Sequence, residues 1–83
     1  MIEHKVLNGK LLQIEAEIEE TIQSIRITGD FFVHPESALE DIERLLIGVK
    51  VEDVEKVLGD FIEKNDVEII GFGPNDLAEA LRK

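Results

Sequence analysis

Apolar residues change their spacing partway along this chain, and that change restricts the fold more than any other feature. From Leu12 to Ile18 they alternate, with Leu12, Ile14, Ala16 and Ile18 on one face and Gln13, Glu15 and Glu17 on the other. A period of two with one polar side is the pattern of a strand buried on one face and wet on the other. Ile25 and Ile27 repeat it, with Ser24, Arg26 and Thr28 opposite. Further on the period becomes helical: Val54, Val57, Leu58, Phe61 and Ile62 fall at i, i+3, i+4, i+7 and i+8, an amphipathic stripe. Strand patterns first and helix patterns after them predict an α+β domain spanning residues 1–83. Its expected form is a small antiparallel sheet of two to four strands with about three helices packed on one face.

Local signals place the elements between these runs. Glu19-Glu20-Thr21 is the expected hairpin connection, and Ile22 is out of phase with Ile25, which predicts a bulge near Gln23. Asn8-Gly9 is a turn signal because both residues tolerate positive φ, making Glu3 to Leu7 an additional strand. Pro35 suits the first turn of a helix, where a missing N–H costs nothing. Ser37 followed by Glu40 offers a capping box two residues later as the alternative start. Leu39, Ile42, Leu45 and Leu46 form the stripe of that helix and Gly48 its stop. The second helix is expected from Glu52 to Lys64, with Gly59 inside it costing about 1 kcal/mol relative to alanine unless packing needs the space. Val67 to Phe72 reads as a short buried strand or extended link. Gly73-Pro74-Asn75 then opens a last helix with Leu77, Ala80 and Leu81 facing inward.

Composition narrows the function. The 83 residues include no cysteine, which excludes disulfides, thiolate zinc sites and cysteine nucleophiles. A chain of this length buries only about 60–65% of the surface its unfolded form exposes. Without disulfide or metal staples it relies on an aliphatic core, completed in some cases by a partner. Acids outnumber bases 19 to 9, for a net charge of −10. That surface repels phosphate backbones and anionic lipid, so neither nucleic acid nor a membrane is an expected partner. No apolar run approaches the ~20 residues of a bilayer span. Met1-Ile2-Glu3-His4-Lys5 lacks the basic-then-apolar pattern of a signal peptide, so a cytoplasmic location is expected.

The chemical candidates have plain structural readings. Glu15 and Glu17 share an exposed strand face, and Glu36, Glu40 and Glu43 share one side of a helix. These are expected to be solvated faces, since a general acid needs a carboxyl in an enclosed site. His4 and His34 are isolated, and a metal site would have to be completed by carboxylates; no metal site is expected, and His34 is read as preceding Pro35 in the turn before a helix. Gly71-Phe72-Gly73 lacks the Lys-Ser/Thr of a phosphate-binding loop, and Pro74 removes a donor. It reads as a turn feeding a helix. Ser37 at a helix start, in an acidic chain of this size, has a superficial likeness to the phosphopantetheine serine of an acyl carrier protein. Its plain reading is a helix cap, and the strand-patterned first third conflicts with an all-helical carrier.

The most unusual segment is Ile27-Thr28-Gly29-Asp30-Phe31-Phe32, a strand running into Gly-Asp and two aromatics. In extended chain Phe31 and Phe32 point to opposite faces, so one fills the core while the other is a candidate partner anchor. The alternative is that both rings are buried beneath the helices.

These residues carry a resemblance. Gly9-Lys10-Leu11 opening a long strand, the hairpin leading to Ile25-Arg26-Ile27-Thr28-Gly29-Asp30-Phe31-Phe32, a helix whose Leu45-Leu46 precedes Gly48, and the close on Ile69-Ile70-Gly71 and Asp76-Leu77 together resemble the small C-terminal domain of lipoate–protein ligases. The Gly-Asp-Phe-Phe junction is its most specific part. In that family a large domain activates lipoate with ATP to lipoyl-adenylate and transfers the lipoyl group to a lysine of an acceptor protein. The lipoate loop and the essential lysine belong to the large domain and have no counterpart in this sequence. The resemblance therefore implies a split enzyme, in which this chain is a non-catalytic accessory subunit paired with a large catalytic subunit and serving lipoyl acceptor proteins indirectly. ATP, magnesium and lipoate are used by the partner, with no cofactor bound directly here. No catalytic residue carries over. The interface candidates are Lys10, Gly29, Asp30, Phe31 and Phe32, with docking expected through a sheet edge or the Gly29–Phe32 corner. Lys10, the basic side chain in a matching motif, is the candidate to approach the adenylate.

Overall fold

The computed structural model describes residues 2–5 and 11–82. Its elements follow the order β1 (Ile2–Lys5), β2 (Leu11–Ile18), β3 (Ile22–Gly29), β4 (Phe32–His34), α1 (Ala38–Leu46), a short 3-10 turn (Val51–Asp53), α2 (Val54–Asn65), β5 (Glu68–Ile70) and α3 (Pro74–Leu81). This is the expected α+β architecture. An antiparallel sheet ordered β1-β2-β3 carries the helices on one face, and β4 and β5 form a separate two-stranded antiparallel ribbon.

The alternation of β2 and β3 decides which face meets the helices. Leu12, Ile14, Ile22, Ile25 and Ile27 are buried, while Glu15, Glu17, Ser24, Arg26 and Thr28 are exposed. Ile18 pairs with Ile22 and Glu17 with Ser24, leaving Gln23 as the extra residue of the predicted bulge. The Gln23 side-chain amide donates to the Thr21 hydroxyl at 3.0 Å and ties the bulge to the hairpin turn. β1 pairs with β2 from Ile2↔Ile14 to Lys5↔Leu11, starting one residue before the strand expected from Glu3 to Leu7 and overlapping its first half. Val6, Leu7 and the Asn8-Gly9 turn lie outside the described residues.

Onto this face pack Ile42 and Leu46 of α1, Val54 and Leu58 of α2, Phe72, and Leu77, Ala78, Ala80 and Leu81 of α3. A smaller cluster of Val33, Ala38 and Val67 sits beneath the ribbon.

Several local expectations change. The chain enters α1 through a turn in which the Ala38 N–H donates to Pro35 O at 2.9 Å and the Leu39 N–H to Glu36 O at 3.2 Å. Pro35 therefore lies ahead of the helix. Ser37 has helical backbone angles and makes no side-chain cap, so the Ser37–Glu40 capping box does not form. The second helix starts at Val54, after the 3-10 turn, and ends at Asp66 with φ 52°. There the Val67 N–H reaches back to Ile62 O at 3.1 Å, a closure in which a left-handed residue satisfies the last carbonyls. Val67 to Phe72 combines the two readings: Glu68–Ile70 is a short strand whose outer face is exposed, in an extended link whose ends, Val67 and Phe72, are buried. The period identified a short strand but could not show that its partner would be another short strand at the rim of the molecule.

At Gly59 the structure decides between the two sequence readings, and Glu43 departs from its own. Gly59 occupies a helical position where an added Cβ would have nothing within 4 Å, so packing does not require glycine there. Gly59→Ala is expected to stabilise the domain by about 1 kcal/mol, raising the thermal midpoint by about 4–8 °C in a calorimetric scan. Glu43 is half-buried rather than solvated, and its Oε2 accepts a 2.7 Å hydrogen bond from the Ile27 N–H on the outer edge of β3. Glu40 lies nearby on α1 and makes only an exposed 3.8 Å contact with Arg44, of the kind worth about 0–1 kcal/mol. Glu43→Ala is expected to cost about 1–2 kcal/mol because it orphans a partly buried N–H, and Glu43→Gln less than half of that because an acceptor remains. Urea unfolding of the two variants separates these values.

Candidate functional site

The sheet and the ribbon meet at a corner built from two glycines. β3 ends at Gly29 with φ 146°, where a Cβ would stand 2.1 Å from the Leu11 carbonyl oxygen. That oxygen accepts the Asp30 N–H at 3.0 Å. Gly71, at φ 119°, lies across from it, and a Cβ there would come within 2.8 Å of both the Asp30 oxygen and the Phe31 Cβ. Backbone thus packs on backbone, which only glycine permits.

The turn sends the two phenylalanines in opposite directions. Phe31 goes inward and meets the buried Phe72 ring edge to face, with centroids 5.0 Å apart and planes at 81°, a favoured aromatic geometry. Phe32 begins β4 and is 77% exposed, so the reading with both rings buried fails for this residue. Its partner across the ribbon is Ile70, itself 57% exposed. These two stand on the outer face of the ribbon beside exposed His34 and Glu68, while Val33 and Ile69 face the interior.

An open groove of ≈ 310 Å³ is lined by Gly29, Asp30, Phe31, Phe32 and Ile70. Four of the five sequence candidates therefore come together. Lys10, the fifth, lies outside the described residues. Ile70 is the addition. Its signal was present in Ile69-Ile70, since adjacent strand residues face opposite ways, but which one faces out depends on what covers the ribbon.

The sequence segments that form the ribbon carry acids and no basic residue other than His34. Residues 27–43 and 65–81, which supply both strands of the ribbon and its flanks, contain no lysine or arginine, but include Asp30, Glu36, Asp66, Glu68 and Asp76. The Asp76 carboxylate is used locally: its Oδ2 accepts the Gly73 N–H at 2.8 Å and closes the start of α3, confirming Gly71-Phe72-Gly73 as a turn feeding a helix.

Elsewhere the surface offers little chemistry. A broad depression on the outer sheet face holds Glu15, Glu17 and Arg26. All three are exposed, unlike the enclosed carboxyl of a general acid. His34 ends β4 opposite Glu68. Among the described residues no three His, Asp or Glu side chains cluster as metal ligands, and no buried side-chain polar atom lacks a partner. No helix among them is long and apolar enough to cross a membrane. At the corner, exposed Phe32 and Ile70 form an apolar protrusion.

Comparison with known proteins gives that protrusion a context. The family model of the bacterial lipoate protein ligase C-terminus matches residues 9–81, and the chain belongs to this family. Among individual proteins, it is 36% identical over 61 residues to the lipoate-protein ligase A subunit 2 of Thermoplasma acidophilum, covering 74% of this chain and 64% of that relative's length. A chain from the solved archaeal lipoylation system of the same organism, described as a bi-partite lipoate protein ligase and its E2 lipoyl domain, superimposes with a TM-score of 0.83 at 27% identity. The match covers 100% of this chain and 94% of that one.

Proposed function

We propose that this chain is the non-catalytic accessory subunit of a split lipoate–protein ligase, needed with a large catalytic subunit to activate lipoate to lipoyl-adenylate before transfer to acceptor-protein lysines. The observation that carries the reading is the likeness, along the whole chain, to a chain of a bi-partite ligase structure. Family membership over residues 9–81 supports it, as does the relative named as a second ligase subunit.

The chain's own chemistry fits that division of labour. The described residues hold exposed carboxylates and an apolar corner, with no enclosed acid and no cationic cradle for a triphosphate. In this reading ATP, magnesium and lipoate are used by the large subunit, and this chain contributes a docking surface centred on Phe32. Lys10, next in sequence to the Leu11 that closes the corner, remains the candidate to approach the adenylate. The acyl-carrier alternative is disfavoured by the five strands among the described residues, which an all-helical carrier lacks.

The deciding assay is lipoate-dependent ATP–pyrophosphate exchange by the candidate large subunit with and without this chain. Exchange is expected only when both are present. A large subunit equally active alone would remove the accessory role.

A further inference from the structure

Of the three strand edges near the corner, that of β3 is closed by hydrogen bonds, that of β4 runs into Pro35 and lies beside α1, and that of β5 has neither. The outer edge of β3 is closed: Glu43 takes the Ile27 N–H, the Ile22 N–H donates to Val49 O at 2.9 Å, and the Gly48 N–H donates to Ile22 O at 2.8 Å. Such blocking is how proteins keep an edge strand from pairing with another chain. β5 has no comparable cover. Among the described residues its backbone pairs with β4, and no other backbone group bonds to Glu68, Ile69 or Ile70. It also carries no proline, no lysine and no bulge, the usual devices that make an edge unattractive. A ribbon of two three-residue strands is marginal by itself, and a third strand would extend it.

We propose that the bare edge of β5 is a strand-addition site, taken by an extended segment of the large ligase chain that bears an apolar side chain flanked by lysine or arginine. The proposal rests on the two-chain reading and deepens it. Main-chain hydrogen bonds to β5 would supply affinity, as in other strand additions. The apolar side chain lies against Ile70 and Phe32, the exposed cross-strand pair on the ribbon's outer face. The basic flanks answer Glu68, Asp66 and Asp30, in segments where this chain has no lysine or arginine to repel them.

The test combines amide hydrogen exchange with two charge reversals, using the full chain and the candidate large subunit. In the complex, at least one amide of Glu68, Ile69 and Ile70 is expected to exchange about tenfold or more slowly than in the free chain. Glu68→Lys is expected to weaken association about tenfold, whereas Glu55→Lys, the same charge change on exposed α2 surface, stays within about twofold. If a complex forms but the β5 amides exchange as fast as in the free chain, or both reversals weaken it equally, strand addition is overturned while the two-chain reading stands. If no complex forms at all, the two-chain reading itself fails and this proposal with it.

Discussion

Phe32→Ala is expected to weaken association with the proposed large subunit by about 30-fold, on the order of 2 kcal/mol, the scale of a central aromatic anchor. In the free chain the ring is 77% exposed, so its removal takes little apolar area out of the core, and the thermal midpoint should move by no more than about 2 °C. The neighbouring residue supplies the contrast. Phe31 packs edge to face on Phe72 and borders both clusters of the core. Phe31→Ala is expected to cost roughly 3 kcal/mol of stability. A titration of labelled chain with large subunit, beside a thermal melt of each variant, gives both numbers. If Phe32→Ala leaves affinity unchanged while the fold stays intact, Phe32 is not the anchor.

Gly29→Ala should have the largest effect on folding. The position combines φ 146° with a Cβ site 2.1 Å from a backbone oxygen. A flexible side chain could move aside, but the Leu11 carbonyl is held in register by β2 and accepts the Asp30 N–H. The substitution must break that closure or displace the strand end, so a loss of roughly 3 kcal/mol or more is expected. A domain of this length has a total stability of about 4–12 kcal/mol. Urea unfolding should show the midpoint falling steeply, with the ribbon and its groove distorted first. Alanine at Gly29 costing less than about 1 kcal/mol would mean that the corner relaxes freely and does not hold Phe32 in place.

Much of the fold was readable because burial and period are tied together in single elements. The strand face of Leu12, Ile14, Ile25 and Ile27, the bulge after the hairpin, and the stripe of Val54 and Leu58 follow from which residues can turn to one side of a strand or helix. At the Gly-Asp-Phe-Phe junction the sequence left two readings open, one ring outward or both buried, and the exposure of Phe32 decides between them. Ile70 could not be chosen over Ile69 on the same grounds, since alternation puts one of them outside without saying which. Ser37 had the right type and spacing for a cap, but the chain enters α1 through the Pro35 turn and leaves its hydroxyl unused.

The amino-acid sequence by itself determined the β2–β3 hairpin, the three helices, the faces they bury and the acidic balance of charge, because each depends on residues close together in the chain. Only the tertiary structure decided that β4 pairs with β5, that Glu43 closes the edge of β3, that Gly59 has open space beside it and that Phe32 and Ile70 stand together in water. Those facts depend on which distant segments meet. Local periodicity is insensitive to that choice: it states that a face is apolar, and the packing of the other elements settles whether anything covers it.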